Sequence, residues 1–294
     1  MEIFSFDLIL QQLLYGILMG SVYVLMAVGF SLIWGIMDML NFAHGEFFML
    51  GAYFTYYFSQ AMHIHPIIAV FIAFILVGVF SGLIFNLIIY PINKKPNWLT
   101  NTIIITLGVS ICTQNLALQF FGERYKTLPK FIEYTVSFWG VNIGADRLVI
   151  MLIALLLLAG LWFFIQNTDI GISMQAVGQN TEAAQLIGLP IRTIYTATFV
   201  ISGALAGAAG GLLAPVYSIY PTVGFMPLIM AFLVVILGGL GSIKGAVYAG
   251  FLLGIVESLA ILYLSTAWKG VVVFALMIAV LSFKPTGLFG TRSE

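Results

Sequence analysis

The side chains best equipped for chemistry gather in one segment, Met39-Leu-Asn-Phe-Ala-His-Gly-Glu-Phe-Phe-Met-Leu-Gly-Ala-Tyr53, which holds Asn41, His44 and Glu46. An imidazole and a carboxylate can exchange a proton or share a metal, but only if they converge. At ~100° per residue, the i, i+2 spacing of His44 and Glu46 turns them about 200° apart, unlike the i, i+4 histidine pair of a zinc-protease helix. No further histidine or cysteine stands close by, and His63 and His65, just before Pro66, read as solvated or interfacial. We therefore assign no catalytic residue and no metal site. The same arithmetic sets His44, Phe48, Gly51 and Thr55 on one helix face and Glu46, Met49, Leu50 and Tyr53 on another. Asn41 is placed to cap this helix through N–H groups two or three residues on, and Glu46 suits the positive end of its dipole.

Other polar groups sit inside apolar runs. A charge at mid-membrane costs roughly 2.5–3.5 kcal/mol on insertion scales, so Glu257, between Ile255, Val256, Leu259 and Ala260, is a candidate for function. No basic residue lies within one turn of it, so its partner must come from another element. It reads either as a hydrogen-bonding link between helices or as a lining residue of a solute path. Gln114 and Asn115 carry the same two readings, whereas Asn86 reads as a link. Cys112, the single cysteine, allows no internal disulfide and reads as packing.

The elements that must position these residues follow from composition. Of 294 positions, 62% are hydrophobic and 7% charged, too little polar surface to cover a soluble globule. The formal net charge is zero, from 11 basic and 11 acidic residues, which leaves no basic face for nucleic acid. Membrane lipid must be the solvent, and ~20 apolar residues make one crossing. Apolar runs at 10–34, 42–58, 67–90, 102–121, 148–165, 195–216, 225–240, 246–264 and 270–283 predict an all-α integral membrane protein. This polytopic bundle has about nine transmembrane helices (eight to ten), with the second and seventh the least certain to span. The first run lacks the basic leader and cleavage site of a secretory signal and reads as a retained span. The expected organisation is a single transmembrane domain, 1–294, with an external loop at about 122–147 and a cytoplasmic segment at about 166–194.

Lys94, Lys95, Arg192, Lys244, Lys284 and Arg292 fall on one side of an alternating trace, which predicts a cytoplasmic C-terminus and an N-terminus outside. Glycines at i, i+4, such as Gly16/Gly20, Gly78/Gly82 and Gly250/Gly254, let helix backbones approach. The double step Gly203, Gly207, Gly211, set among alanines, marks a helix almost free of bulk and suited to a central position. No internal repeat is legible.

The polar interlude 166–194 has roughly the length of a helix-turn-helix. Thr181 reads as the cap of a short helix through Ile187, with Gly188 as its stop and Pro190 beyond. No Gly-x-x-x-x-Gly-Lys-Ser/Thr motif occurs, so a nucleotide engine, if one drives this protein, must be a separate polypeptide.

Asn41-Phe-Ala-His-Gly-Glu46 through Gly51-Ala-Tyr53 resembles the signature of LivH-type permeases of branched-chain amino-acid ABC importers. Thr181-Glu-Ala-Ala-Gln-Leu-Ile-Gly188 resembles the ATPase-coupling element of ABC importers. Gly238-Gly-Leu-Gly-Ser-Ile-Lys-Gly245 and Pro285-Thr-Gly-Leu-Phe-Gly290 are similar to the same family. The resemblance implies a permease of the bacterial or archaeal plasma (inner) membrane. It implies as partners a homologous second permease subunit, two cytoplasmic ATP-binding subunits and an external solute-binding protein. It implies no cofactor in this chain, ATP and magnesium belonging to the partners. Glu182, Ala183, Ala184 and Gly188 would form the coupling helix, while Asn41, His44, Glu46, Gln114, Asn115 and Glu257 are candidates for the path or its gate. Leucine, isoleucine and valine are the expected solutes, and urea, short amides or other amino acids the alternatives within the wider family. A self-contained carrier or channel, or an intramembrane enzyme, is the rival from outside it.

Overall fold

A computed structural model describes residues 6–92, 98–138 and 141–290. Lys94, Lys95 and Arg292, part of the orientation argument, lie outside the described residues. The helices are α1 (Phe6–Met37), α2 (His44–Gln60), α3 (Pro66–Ile84, continued by a π-helical turn Phe85–Ile89), α4 (Trp98–Phe121) and α5 (Ala145–Asn167). Then follow α6 (Asp169–Gln179), α7 (Thr181–Leu186), α8 (Ile191–Leu213), α9 (Phe225–Gly238), α10 (Ile243–Tyr263) and α11 (Lys269–Phe283). Each predicted span coincides with one helix. The predicted external loop holds a small sheet: β1 (Thr135–Phe138) and β2 (Val141–Gly144) form an antiparallel hairpin that leads directly into α5. β-Branched and aromatic residues alternate with small or polar ones along both strands, a pattern suited to backbone pairing.

Among the described residues, seven helices are long and apolar enough to cross a membrane, and α2 and α9 are not among them. At 1.5 Å per residue their 17 and 14 residues reach about 25 and 21 Å, short of the ~30 Å hydrocarbon core. The contacts show where they begin. His44 touches Met26 of α1 and Ser202 at the middle of α8. Gly45 backs directly onto Gly224, the residue before α9. From that meeting point α2 runs beside α8, Gly51 against Gly207 and Thr55 against Gly211, toward the Leu213 end. The α9 helix runs the opposite way, bringing Gly238 against Gly245 at the start of α10. Residues 38–43 and 214–224 are therefore re-entrant: each turns back from a face of the bundle to its interior before the next helix starts.

Two faces can now be named. The Phe6 face carries the starts of α1, α3, α5 and α11 and the ends of α2, α4, α8 and α10. The Met37 face carries the starts of α4, α8 and α10 and the ends of α1, α3, α5, α9 and α11, together with α6 and α7, since Gly178 of α6 lies on the backbone of Gly35. Across these faces the chain repeats its own topology upside-down. In each half a long central helix (α1, α8) is followed by a re-entrant segment and a short helix (α2, α9). Next comes a crossing that packs on the other half's central helix (α3 on α8, α10 on α1), then a peripheral helix (α4, α11). This inverted repeat, a common transporter architecture, has no counterpart in the residue sequence, where no repeat was legible.

Small residues make the packing possible. Without a hydrophobic force between helices in lipid, close backbone approach supplies the attraction. A Cβ on Gly16 would stand 2.7 Å from Ile255 Cα, and one on Gly207 would stand 2.7 Å from Val77 Cβ. Gly203 is filled by Ser81, whose hydroxyl donates to the Phe199 carbonyl at 2.6 Å. The central helices α1 and α8 are accordingly buried on all sides over much of their length, whereas α4, α5 and α11 present mostly exposed apolar faces. Cys112 is on one of those faces rather than packed inside, because α4 touches the bundle along only one edge.

Candidate translocation and coupling sites

The segment that opens α2 lies wholly inside the bundle, so every polar atom on it must find a partner or go without. His44 is fully buried. Its Nε2–H donates to the Met26 carbonyl at 3.1 Å, and since a carbonyl can only accept, that nitrogen carries the proton. Nδ1 then accepts from the Ser202 hydroxyl at 3.4 Å. Phe30 and Phe47 stand edge-on to the ring. One imidazole thus ties α1, α2 and α8 together, with no charged group beside it. Asn41 Oδ1 accepts from the Ala43 N–H at 3.1 Å, two residues on, and turns the re-entrant segment into the helix.

Glu46 points the other way. Its Oε1 accepts from Ser110 Oγ at 2.9 Å and Gln114 Nε2 at 2.7 Å, both on α4. Nearby, Tyr53 stacks on Phe121 at 4.3 Å, so the second face of α2 is the face toward α4. His44 and Glu46 serve different helices, as their spacing requires. Beyond Gln114 a cavity of about 360 Å³ opens toward the Phe6 face, lined by Asn115, Glu123, Tyr125, Tyr220 and Thr222 among others. Asn115 itself donates to the Ile111 carbonyl of its own helix and leaves its amide at the cavity wall.

A further pattern runs along α2. Among the described residues, buried polar atoms without a partner are Ser31 Oγ, Asn41 Nδ2, Glu46 Oε2, Tyr53 OH and Thr55 Oγ1. Four of these five belong to α2 or the turn that starts it. Each such group costs free energy where no water reaches it, so their concentration on one helix is not what packing alone would select.

Glu257 finds its partner across the α10–α11 turn, twelve residues on: Lys269 Nζ lies 3.1 Å from its Oε1. The hydroxyls of Tyr23 and Tyr217 face the same carboxylate. Nothing in the local sequence marks Lys269 as that partner, because the pairing depends on how tightly α11 folds back after the turn.

On the Met37 face, α6 and α7 form the polar interlude. The cap of α7 is Asn180 rather than Thr181: Asn180 Oδ1 accepts from the Ala183 N–H at 2.9 Å. Thr181 is already helical and donates to the Val177 carbonyl. Gly188 ends the element at φ +86°, a conformation costly for any residue with a Cβ. Of the four proposed coupling residues, Glu182, Ala183 and Gly188 are exposed, while Ala184 is buried toward the body. Sequence reasoning missed the two most prominent side chains there, Leu186 and Ile187, which are 89% and 75% exposed. Two adjacent apolar residues in an otherwise polar interlude, directly before the Gly188 helix stop, are the available signal.

Known proteins fit this arrangement. The family model described as branched-chain amino acid transport system / permease component matches residues 12–281. The chain is 34% identical to the high-affinity branched-chain amino acid transport system permease protein LivH of Escherichia coli, over 96% of this chain and 95% of that protein. It is equally 34% identical to the corresponding permease BraD of Pseudomonas aeruginosa, with 96% and 95% covered. A weaker likeness, 24% identity over 92% of this chain and 68% of the relative, links it to the permease LivM of Salmonella typhimurium. No solved structure matches. A family match from the first central helix to the last peripheral one, with LivH and BraD each covered over 95% of their own length, makes this chain a member of the branched-chain amino acid transport system permease family.

Proposed function

We propose that the chain is the membrane-spanning half of an ABC importer for leucine, isoleucine and valine, passing solute inward by alternating access. The observation that carries the reading is the pairing of family membership with an exposed apolar tip, Leu186 and Ile187, on the α7 helix. A soluble ATPase could grip such a tip, and α7 is joined to the gate-forming interior through the directly following α8. The Met37 face is then cytoplasmic and the Phe6 face outer. The partner permease resembles this chain, as LivM does, and covers the apolar sides of α4 or α11. Two ATP-binding subunits and an outer solute-binding protein complete the assembly.

In this reading the unpartnered polar atoms of Asn41, Glu46 and Tyr53, with Gln114 and Asn115 beside them, become the groups that a passing solute meets when α4 separates from α2, while Thr55, on the α8 face, is met when α2 shifts on α8. Binding at mid-depth, where the short helices α2 and α9 start, is the arrangement transporters with broken helices share. The glycine-lined helix α8 is the surface on which α2 and α3 shift.

The test is to purify the tagged chain gently from its native membrane, identify its partners, and measure ATPase stimulation with binding protein plus leucine or urea. Two ATPases, a second permease and stimulation by leucine are expected. Stimulation by urea alone transfers the same machine to amide solutes, and unaided transport by the solitary chain defeats the reading. Within that assembly, Glu182→Lys should weaken ATPase association, and co-purification at the wild-type level counts against the α7 contact.

A further inference from the structure

At the Phe6 end of α1 lies a second polar cavity, about 240 Å³, enclosed by the starts of α5 and α11 and the turn after α8. Its charged lining is of both signs: Arg147, Lys269 and Glu257. Its other walls mix the apolar side chains of Met19, Val216 and Ile261 with Gln12, Tyr15, Tyr217 and Ser258. The charges are unevenly satisfied. Lys269 and Glu257 pair with each other, but Arg147 has no carboxylate within ion-pair distance among the described residues. Its guanidinium lies flat over the Tyr15 ring, 4.4 Å from the centroid, which supports the cation's face and leaves its N–H edge for an acceptor. A planar fork of donors is the group best suited to a carboxylate.

We infer that this cavity binds a free aliphatic amino acid as its zwitterion, carboxylate on Arg147, ammonium toward Glu257 and side chain against Met19, Val216 and Ile261. The inference rests on the proposed amino-acid transport and adds a place where solute waits on the outer side before the central helices part. The three components of the ligand match three components of the cavity, whereas the central site has, among the described residues, no cation in contact with His44 or Glu46 to take the carboxylate. The contact with Lys269 holds the Glu257 carboxylate in place at the cavity wall, where an incoming ammonium can meet it. A solute without the carboxylate has nothing to offer Arg147. Zwitterionic phospholipid headgroups share the charge pattern, and the apolar side chains on the cavity wall favour the amino acid over the ethanolamine of a headgroup.

The experiment uses the complete transporter, reconstituted in proteoliposomes for uptake and solubilised without binding protein for equilibrium binding of radiolabelled leucine. Wild type should bind leucine saturably, and leucinamide, which lacks the carboxylate, should not compete. Arg147→Gln should raise the leucine Kd at least tenfold, and Arg147→Lys should restore part of the loss, while both variants assemble with their partners on size exclusion. Unchanged leucine Kd in Arg147→Gln overturns the site yet leaves the transport reading intact if wild type takes up leucine. Absence of amino-acid uptake by the wild-type assembly overturns the transport reading itself. If leucinamide competes as well as leucine, or if binding by wild type disappears on adding phosphatidylethanolamine, the cavity is not an amino-acid site.

Discussion

The meeting point of α2, α8 and α9 and the α6–α7 elbow are built on opposite rules. At the meeting point, glycine faces glycine, an imidazole is fixed at both nitrogens, and there is no room for an added methyl group. At the elbow, a six-residue helix hangs from one asparagine cap and one left-handed glycine, with its largest side chains in solvent. The first region spends its residues on holding a shape, the second on being touched. Substitutions should therefore separate cleanly: the centre answers in folding, the elbow in partnership.

The largest effect is expected for Gly51→Leu. A side chain there would enter the backbone of Gly207, which cannot rotate away, so the bundle should fail to form a monodisperse species on detergent size exclusion. A monodisperse Gly51→Leu protein with normal thermal stability would break the contrast at its root. Gly207→Leu comes next, because the first obstacle is the Val77 side chain, with its Cβ 2.7 Å away. It should insert but lose uptake, and Val77→Ala in the same chain should recover part of both uptake and melting temperature. Normal uptake in Gly207→Leu alone would remove α8 from the mechanism. His44→Ala leaves the Met26 carbonyl and the Ser202 hydroxyl short of a partner, a loss of about 1–3 kcal/mol read as a lowered melting temperature. Smallest on stability is Leu186→Asp with Ile187→Asp, expected within about 0.5 kcal/mol of wild type because both side chains are already in water. The same pair should abolish ATPase co-purification, and a full complement of ATPase would place the contact elsewhere.

Much of this was legible in the residues because helical spacing is local. The two faces of α2 follow from 100° per residue: Phe48, Gly51 and Thr55 do meet α8, and Glu46 and Tyr53 do meet α4. Glu257 was bound to need a distant cation, since no neighbour along its helix could serve. What escaped depends on depth and on contacts between remote segments. Composition marks α2 and α9 as short but does not say that both begin in the interior, because most of 38–43 and 214–224 falls between predicted spans and reads like any connection at the membrane surface. Ser202 looks like any small residue of a glycine-rich helix, and only the imidazole across from it gives it a task. The cap of α7 slid by one residue because Asn180 and Thr181 are both good caps, and the helix starts at whichever leaves Thr181 free to bond back to Val177.

The short helix α9 has one more neighbour, the segment 285–290. Leu288 and Phe289 donate their N–H groups to the carbonyls of Leu237 and Gly238, Gly287 and Gly290 lie against Gly239 at φ +104°, and Phe289 stacks on Tyr248. The carbonyls that α9 leaves open at its end are thus closed by residues about fifty positions further along. A ribosome adds roughly 5–20 residues each second, so α9 emerges about three to ten seconds before its own latch. Until then it is a fourteen-residue helix, too short to cross a bilayer, packed on α1, α2, α10 and α11 with the carbonyls at its end open. A chain truncated after Lys284 would keep α11 and lose this latch, leaving the half-helix for the membrane's proteases to find.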